Sequence, residues 1–186
     1  MPHIYGNRIR LRAPERSDIP RFVQWLNDPE VTAGLLVRNP MSQADEEGWF
    51  ERMLGRPAEE HPMVIEVRQA DSSSPADVKW VPIGNCSFMK FDWRSRSSEI
   101  GIFIGEKTLW NQGYGTEVMQ LLLEHGFHTL NLNRIWLRVH ADNLRAIRCY
   151  EKAGFVHEGR LRDEQFKHGQ YVDTLVMSVL EKEYHG

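Results

Sequence analysis

Apolar and polar residues follow two periods along this chain, and together they predict seven strands and four helices. Period-two alternation and short apolar runs mark the strands, which we place at Arg8–Ala13, Met63–Val67, Val81–Met89, Glu99–Ile104, Ile135–Val139, Phe155–Leu161 and Tyr171–Leu180. Helical spacing of apolar residues marks one helix after Ser17, one after Ser42, one after Gly115 and one from Leu144 to Ala153. Strands and helices alternate in the second half, so the sequence predicts a mixed α/β fold.

Local signals fix the ends of several of these elements. Ser17 and Ser42 are predicted N-caps, and Pro29 should end the first helix because the residue before a proline resists helical angles. Gly154 stands where a C-cap glycine belongs. The polar stretch Asp71–Asp77 is predicted to be a surface loop, short for a linker between domains.

The composition fits one globular domain over residues 1–186. Hydrophobic residues make up 41% and charged residues 26%, and the net charge of -3 gives no electrostatic reason to expect nucleic acid as a partner. No stretch approaches the roughly 20 apolar residues of a membrane helix, and the start lacks a signal-peptide core. We therefore expect a cytoplasmic protein with no membrane partner. Cys86 and Cys149 lie far apart in apolar patterns and are interpreted as buried thiols rather than a disulfide or a metal site.

The stretch from Ile102 to Glu117 carries the most informative chemistry. A strand runs into a short loop, and the loop runs into a helix whose first turn contains Gly113 and Gly115. A helix N-terminus exposes about four unpaired backbone N–H groups, and glycine lets phosphate oxygens approach them. The Gly-Lys-Ser/Thr ending of a P-loop is absent, as is the third glycine of the dinucleotide fingerprint. Taken alone, this turn is compatible with an anion site but does not require one.

A second segment, Asn143–Phe155, opens with an asparagine suited to an N-cap. Asn143 and Tyr150 are seven residues apart, so they share one helical face and lie about 10 Å apart along the axis. A long ligand passing that face could meet an amide at one end and a phenol at the other. The residues by themselves equally allow Asn143 only to cap the helix and Tyr150 only to pack.

Together these segments resemble the GCN5-related N-acetyltransferases (GNAT), within the branch of ribosomal-protein alanine N-acetyltransferases and spermidine acetyltransferases. The stretch Trp110–Gly115 occupies the acetyl-CoA signature Gln/Arg-x-x-Gly-x-Gly/Ala, with Trp110 departing from the usual first residue. Asn143–Phe155 resembles the second signature of the family, Ser98–Gly101 its central strand, and Gly169–Asp173 the turn into its last strand. The resemblance spans nearly the whole chain.

The resemblance implies a mixed, mostly antiparallel sheet of about six or seven strands flanked by about four helices and splayed near its centre for CoA. It implies direct transfer of acetyl from acetyl-CoA to a primary amine in a ternary complex, the amine being a protein N-terminus, a polyamine or another small amine. It leaves a homodimer open as the assembly. A non-catalytic acyl-CoA-binding or regulatory domain is the alternative, and transfer of a different acyl group is a third interpretation.

The resemblance also assigns residues to the co-substrate. Backbone amides should hold the CoA diphosphate at Gln112, Gly113, Tyr114, Gly115 and Thr116. The strand residues Ile102, Phe103 and Ile104 should pair with the pantetheine amides as an added strand does. Asn143 should bind the pantetheine arm, and the amide of Phe103 or a neighbour should stabilise the oxyanion.

Two residues are assigned to catalysis. The attacking amine must be neutral, although a lysine-type amine has a pKa of about 10.4, so a base must accept a proton. Glu99 is the candidate base because it stands on the central strand beside the expected thioester, with a purely structural carboxylate as the equal alternative. Tyr150 occupies the general-acid position of the family and should protonate the leaving thiolate or orient the sulfur.

Two weaker signals concern metals and the acceptor. His125 and His128 have a spacing that can bind metal, but no third ligand follows in pattern, so we predict no metal site. The acids Asp28, Glu30 and Asp45–Glu47 fall in the N-terminal helices, which often wall the acceptor cleft in this family. They hint at a cationic amine, yet they also suit helix starts.

Overall fold

The computed structural model describes residues 3–70, 78–167 and 169–185. Those residues form eight strands and five α-helices, in two compact units. The first unit comprises Met1–Phe88 with Ile102–Tyr114, and the second comprises Met89–Gly101 with Gly115–Gly186. The predicted loop Asp71–Asp77 lies outside the described residues, and the single domain over residues 1–186 stays a prediction.

The first unit is built on an antiparallel run of strands. In spatial order these are β1 (Ile4–Tyr5), β2 (Ile9–Arg12), β3 (Met63–Ala70), β4 (Val78–Asp92) and the end of β5 (Ser97–Ile104). On β2, Ile9 and Leu11 are buried while Arg10 and Arg12 stay partly exposed, as the alternating pattern predicts. The core of this unit therefore lies on the face that Ile9 and Leu11 share.

The arginines of β2 neutralise two buried carboxylates. Arg10 Nε and Arg12 Nε lie 2.6 and 2.9 Å from the carboxylate of Glu66 on β3, which is 4% exposed. Arg12 also forms a bidentate pair with Asp18, at 2.7 and 2.8 Å. Because a buried carboxylate without a partner is strongly unfavourable, these pairs tie β2 to β3 and to the segment that opens the first helix.

Three helices follow in the first unit: α1 (Ile19–Leu26), α2 (Pro29–Thr32) and α3 (Gln43–Leu54). The N-cap position of α1 is Asp18 rather than the predicted Ser17, because a 3-10 turn at Arg16–Asp18 runs directly into the helix. Ser42 caps α3 as predicted: its hydroxyl accepts from the backbone N–H of Asp45 at 3.1 Å. The carboxylate of Asp45 accepts from Ser42 in return, which completes a capping box.

Pro29 both ends one helix and begins another. α1 stops at Leu26 as expected, but Pro29 is the first residue of the short α2. A proline at the first helical position has no N–H that needs a partner, and its fixed φ already suits the helix. Asp28 caps α2 by accepting from the backbone N–H of Glu30 at 2.9 Å. The short helix α2 was therefore not predicted, because Pro29 was expected only to end α1.

The second unit continues the sheet. It contains the remainder of β4 and β5, then α4 (Tyr114–Glu124), β6 (Arg134–His140), α5 (Leu144–Lys152), β7 (Val156–Lys167) and β8 (Gln170–Leu180). The strand order is β4-β5-β6-β8-β7, with β5 and β6 parallel and the β6/β8 and β7/β8 pairs antiparallel. α4 runs into a π-helical turn at His125–Thr129, and Gly154 follows α5 with φ of 100° as a C-cap glycine does. The predicted mixed, mostly antiparallel sheet is confirmed, and the two-residue β1 raises the strand count to eight.

Pairing between β5 and β6 is unusually short. It covers Ser97, Ser98 and Glu99 on β5, whose partners end at Trp136 on β6. Within the described part of the second unit, Ile100 and Gly101 therefore have no partner on β6 although β6 continues to His140. The strands part near the centre of the sheet, as the resemblance implied.

Both cysteines are free thiols, Cys86 buried and Cys149 half-buried, and burial raises the pKa of each. Their interpretation as thiols rather than a disulfide is confirmed. Among the helices in the described ranges, none combines the length and the apolar composition needed to cross a bilayer.

Gly105 has no room for a side chain, which gives a test of the first core. A Cβ there would lie 2.1 Å from Cδ2 of Trp25, which is 5% exposed. We expect Gly105→Ala to lower the free energy of unfolding by about 1–3 kcal/mol through overpacking, measured by urea denaturation. At Gly159 a Cβ would meet nothing within 4 Å, so Gly159→Ala is the matched control. Equal loss in both variants would contradict this account of Gly105.

Candidate active site

A tight glycine turn leads from β5 into α4. After a 3-10 turn at Lys107–Leu109, Asn111 and Gly113 both take left-handed backbone angles, with φ of 62° and 85°. Glycine enters that region without strain, and asparagine tolerates it better than most residues. α4 begins at the next residue, Tyr114. The structure therefore places the predicted turn at a helix N-terminus, where backbone N–H groups lack helical partners.

Arg8 braces this turn, a contact that the sequence analysis did not find. Its Nη1 donates to the carbonyl of Gln112 at 3.1 Å, and its guanidinium lies 4.4 Å from the centre of the Tyr114 ring. A trans peptide holds a carbonyl and the following N–H on opposite sides, so this bond directs the N–H of Gly113 away from Arg8. The brace thereby fixes how the turn presents that amide. It was not predictable because 104 residues separate Arg8 from Gln112.

Trp110, which departs from the family signature, has a structural role. Its Nε1 donates to the carbonyl of Ile104 at 2.8 Å. Its ring packs against the cluster around Phe22 and Trp25. The indole therefore anchors the loop to the end of β5.

The two edges of β5 differ in what they offer a ligand. The carbonyl of Phe103 lies against Gly84 on β4, where an added Cβ would be only 2.1 Å from it. Further along, the N–H of Gly105 donates to the carbonyl of Ile83 at 2.8 Å. Because successive strand residues turn their polar groups to opposite edges, Ile102 and Ile104 present theirs away from β4. Of the three predicted strand residues, these two face the edge suited to an added strand.

Gly115 serves packing as well as ligand access. A Cβ there would lie 3.1 Å from Sγ of Cys149 on α5, and Thr116 Oγ1 lies 3.6 Å from the same sulfur. Glycine at this position thus lets α4 and α5 approach closely. The sequence analysis assigned both glycines to the ligand, and the structure adds a second reason for Gly115.

Asn143 is the N-cap of α5, the helix that carries Tyr150. The side-chain oxygen of Asn143 caps the helix by accepting from the backbone N–H of Ala146 at 3.2 Å. This use of Oδ1 leaves the amide Nδ2 as the donor for a ligand. Capping and ligand binding by Asn143 are therefore compatible.

Tyr150 lies on α5 with only 9% of its surface exposed, its ring tilted against that of Phe155. Burial raises the pKa of its phenol, while the charge of Arg145 opposes that rise. A phenol that stays protonated can donate a proton or a hydrogen bond to a ligand.

Glu99 is held by two cations of its own unit. Arg138 Nε donates to Oε1 at 3.0 Å, and Lys90 Nζ lies 2.6 Å from Oε2 as an ion pair outside hydrogen-bond geometry. The carboxylate is 6% exposed. A buried carboxylate that pairs with two cations is expected to stay in place, because breaking such a pair leaves a buried charge without a partner. This arrangement favours a structural role and weighs against direct proton transfer to Glu99.

The acids proposed to attract a cationic acceptor already have partners. Lys107 Nζ lies 2.8 Å from carboxylate oxygens of both Asp28 and Glu30. Asp45 is engaged in the capping box with Ser42, which lowers the pKa of its carboxyl. Glu46 is buried, and this burial raises its pKa. Helix starts and internal ion pairs thus account for most of this cluster.

The two histidines of the π-helical turn show no metal arrangement. His128 Nδ1 lies 2.9 Å from Glu124 Oε1, and burial lowers the pKa of His125. Among the residues that the structure describes, no group of three or more histidine, cysteine or acidic side chains could hold a metal ion.

Several known proteins are similar to this chain in fold and in sequence. The crystal structure of the spermidine N-acetyltransferase from Vibrio cholerae in complex with CoA and spermine matches with a TM-score of 0.84 and 26% identity, over 97% of this chain and 100% of that one. In sequence, the N-acetyltransferase p20 of Bacillus licheniformis is 31% identical over 100% of both chains. The Vibrio cholerae spermidine N(1)-acetyltransferase is 30% identical over 96% of both chains.

The fold and the turn thus define an acyltransferase. The family model for the acetyltransferase (GNAT) domain matches residues 8–156, and the chain belongs to this family. It is an N-acetyltransferase that uses acetyl-CoA. The matched residues include the glycine turn, the end of β5 and the start of α5.

Loss of the Arg8 brace should weaken acetyl-CoA binding. We expect Arg8→Met to raise the Kd for acetyl-CoA about tenfold in calorimetry, equivalent to about 1.4 kcal/mol, because the Gly113 amide is no longer directed. Kd for acetyl-pantetheine, which lacks the diphosphate, should not change. The exposed Arg68 on β3 provides the control variant Arg68→Met with the same loss of charge. An unchanged Kd in Arg8→Met would show that the turn needs no brace.

Proposed function

We propose that this enzyme transfers acetyl directly from acetyl-CoA to a primary amine within a ternary complex. The observation that carries the proposal is the glycine turn at the start of α4, held in a ligand-ready form by Arg8. The buried phenol of Tyr150 supports the chemical step. The acceptor class is a protein N-terminus, a polyamine or another small amine.

Acetyl-CoA is proposed to bind mainly through the backbone. In the first unit, amides of Gln112–Tyr114 would hold the diphosphate, and Ile102 and Ile104 would pair with the pantetheine. In the second unit, amides of Gly115 and Thr116 extend the same turn, and Asn143 donates from Nδ2. Backbone donors at a helix N-terminus suit a diphosphate because they combine several N–H groups with the positive end of the helix dipole.

The chemical step requires proton transfer at two atoms. The amine nitrogen must lose protons as it attacks the thioester carbon, and the CoA sulfur must leave as a thiol. We assign Tyr150 to the sulfur, because its phenol is protonated throughout the neutral pH range. The oxyanion is assigned to an amide on the outward edge of β5, at Ile102 or Ile104, since the polar groups of Phe103 face β4.

The acceptor is proposed no more finely than a primary amine. Spermidine acetyltransferases among the relatives favour a polyamine. The pairing of Asp28 and Glu30 with Lys107 removes the acidic cluster as independent support for a polycation. A panel of spermidine, an aminoglycoside, a free amino acid and a peptide N-terminus, assayed for CoA release, would choose among these acceptors.

A charge placed in the turn tests the co-substrate site. Gln112 is exposed, and Gln112→Glu keeps its size while adding a negative charge beside the proposed diphosphate. It also removes the hydrogen bond that Nε2 donates to the carbonyl of Thr108 at 2.8 Å, so circular dichroism and the melting temperature should confirm that the variant is folded. Repulsion of about 1–2 kcal/mol should weaken acetyl-CoA binding about tenfold in calorimetry. The exposed Gln24 on α1 supplies the control, Gln24→Glu, with the same change in net charge.

This pair of variants avoids a complication at Gly115, where a larger side chain would also disturb Cys149. Equal affinities in Gln112→Glu and Gln24→Glu would place the diphosphate elsewhere. A folded wild-type protein that binds no acetyl-CoA would instead favour the alternative of a non-catalytic domain.

Removal of the Tyr150 hydroxyl tests the acid. We expect Tyr150→Phe to lower kcat about 100-fold, within the usual range for general acid catalysis, with acetyl-CoA affinity changed less than about twofold. Steady-state CoA release and calorimetry measure the two quantities separately. Full turnover in the variant would exclude Tyr150 as the proton donor.

A further inference from the structure

Two buried polar groups lie side by side on β6 and β8 without a use in the account above. His140 is the last residue of β6 and is 8% exposed, and Thr174, its register partner on β8, is 2% exposed. Within the described residues, the buried His140 Nδ1 has no hydrogen-bond partner. The buried Thr174 Oγ1 has none that meets hydrogen-bond geometry, although its interaction with Glu164 lowers the pKa of that carboxyl. Buried polar atoms are nearly always paired, so an unpaired neighbouring couple indicates a missing partner.

Their position points to the acceptor amine. Side chains alternate along β6, so His140 shares a face with Trp136 and Arg138. Arg138 bonds Glu99, which places His140 on the same face as that residue. The ladder to β5 has already ended at Trp136, and the carbonyl of His140 accepts from the N–H of Asn143 at the start of α5. His140 thus lies at the end of β6, beyond the part that pairs with β5 and just before the helix that carries Tyr150.

The chemistry of this couple matches an amine. A neutral imidazole nitrogen and a hydroxyl oxygen both accept hydrogen bonds, and an ammonium group offers three N–H donors. The charged groups around His140 are Lys167 and Glu164 on β7 and Asp142 in the following loop, with Arg138 on β6 itself. Burial comes first in lowering the pKa of His140, and Lys167 adds to it, against the opposing charges of Asp142 and Glu164. The imidazole is therefore neutral near pH 7 and able to accept a proton.

We infer that His140, assisted by Thr174, is the group that accepts the proton of the acceptor amine, in place of Glu99. The inference rests on the proposed function, since it requires an amine and acetyl-CoA in the same site. Glu99 neutralises Lys90 and Arg138, whereas His140 has an unengaged acceptor nitrogen. Because Nδ1 is buried in the empty protein, the inference requires the imidazole to turn about its Cβ–Cγ bond when the amine binds.

The step balances as follows. The ammonium gives one proton to the imidazole, and the nitrogen lone pair then forms a C–N bond to the thioester carbon. Collapse of the tetrahedral intermediate breaks the C–S bond, and the thiolate takes the proton of Tyr150. The second proton from nitrogen restores the phenol, and the imidazolium releases its proton to solvent. The net products are the amide, CoA thiol and one proton.

The decisive experiment compares pH profiles of kcat/KM for the best amine of the panel. We expect His140→Asn to lower kcat/KM about 100-fold at pH 7. The deficit should shrink as pH rises toward the amine pKa of about 10.4, because more of the acceptor is then already neutral. Thr174→Val should give a smaller loss with the same trend. The affinity of each variant for acetyl-CoA should stay within about twofold of wild type, and added imidazole should partly restore His140→Gly.

Several results would overturn the inference. One is a folded His140→Asn that binds acetyl-CoA and keeps the wild-type kcat/KM and its wild-type dependence on pH. Another is a pH-dependent loss of kcat/KM in Glu99→Gln and not in His140→Asn. Where the variants fail to fold, NMR titration of the wild-type His140 ring decides, since resonances unmoved by amine in the presence of CoA contradict contact. Failure of the wild type to bind acetyl-CoA would sink the proposed function itself, a separate outcome seen before any variant is made.

Discussion

The parallel ladder between β5 and β6 stops at Glu99 and Trp136 although both strands continue, and the proposed binding of acetyl-CoA depends on this parting. Backbone groups inside a sheet normally find partners on the neighbouring strand, so a ladder that ends early leaves donors and acceptors to be satisfied otherwise. The amides of a pantetheine arm are suited to that task. The parting also leaves the end of β6 open, and the helix that bears Tyr150 begins only four residues beyond it.

Contacts made inside each unit decide which polar residues remain available for chemistry. Lys90 and Arg138 form ion pairs with Glu99, and Lys107 forms ion pairs with Asp28 and Glu30. From the sequence, Glu99 was the predicted base, and Asp28 and Glu30 were among the acids that hinted at a cationic acceptor. Among the described residues of the second unit, His140 Nδ1 is buried and has no hydrogen-bond partner. An unpaired buried group is unfavourable in the empty protein, and a ligand that pairs with it gains the corresponding affinity.

Much of the fold was predictable because its signals are local. The cap at Ser42, the C-cap at Gly154 and the left-handed Gly113 each depend on a few neighbouring residues. The seven-residue spacing of Asn143 and Tyr150 likewise needs only the period of a helix. The predicted cap of α1 was wrong by one residue, because a 3-10 turn at Arg16–Asp18 precedes the helix. The prediction for Pro29 was incomplete. A proline can both end one helix and begin the next, and only the first effect was predicted.

The sequence by itself determined the family, the order of strands and helices, and the glycine turn before α4, since each depends on short-range patterns. Only the tertiary structure decided how the turn is braced by Arg8, that Glu99 is an ion-paired carboxylate, and that His140 meets Thr174. The pairs concerned are separated by 104, 39 and 34 residues, the last counted from positions 140 and 174. Which side chains meet over such distances depends on strand register and packing, and local periodicity carries no information about either.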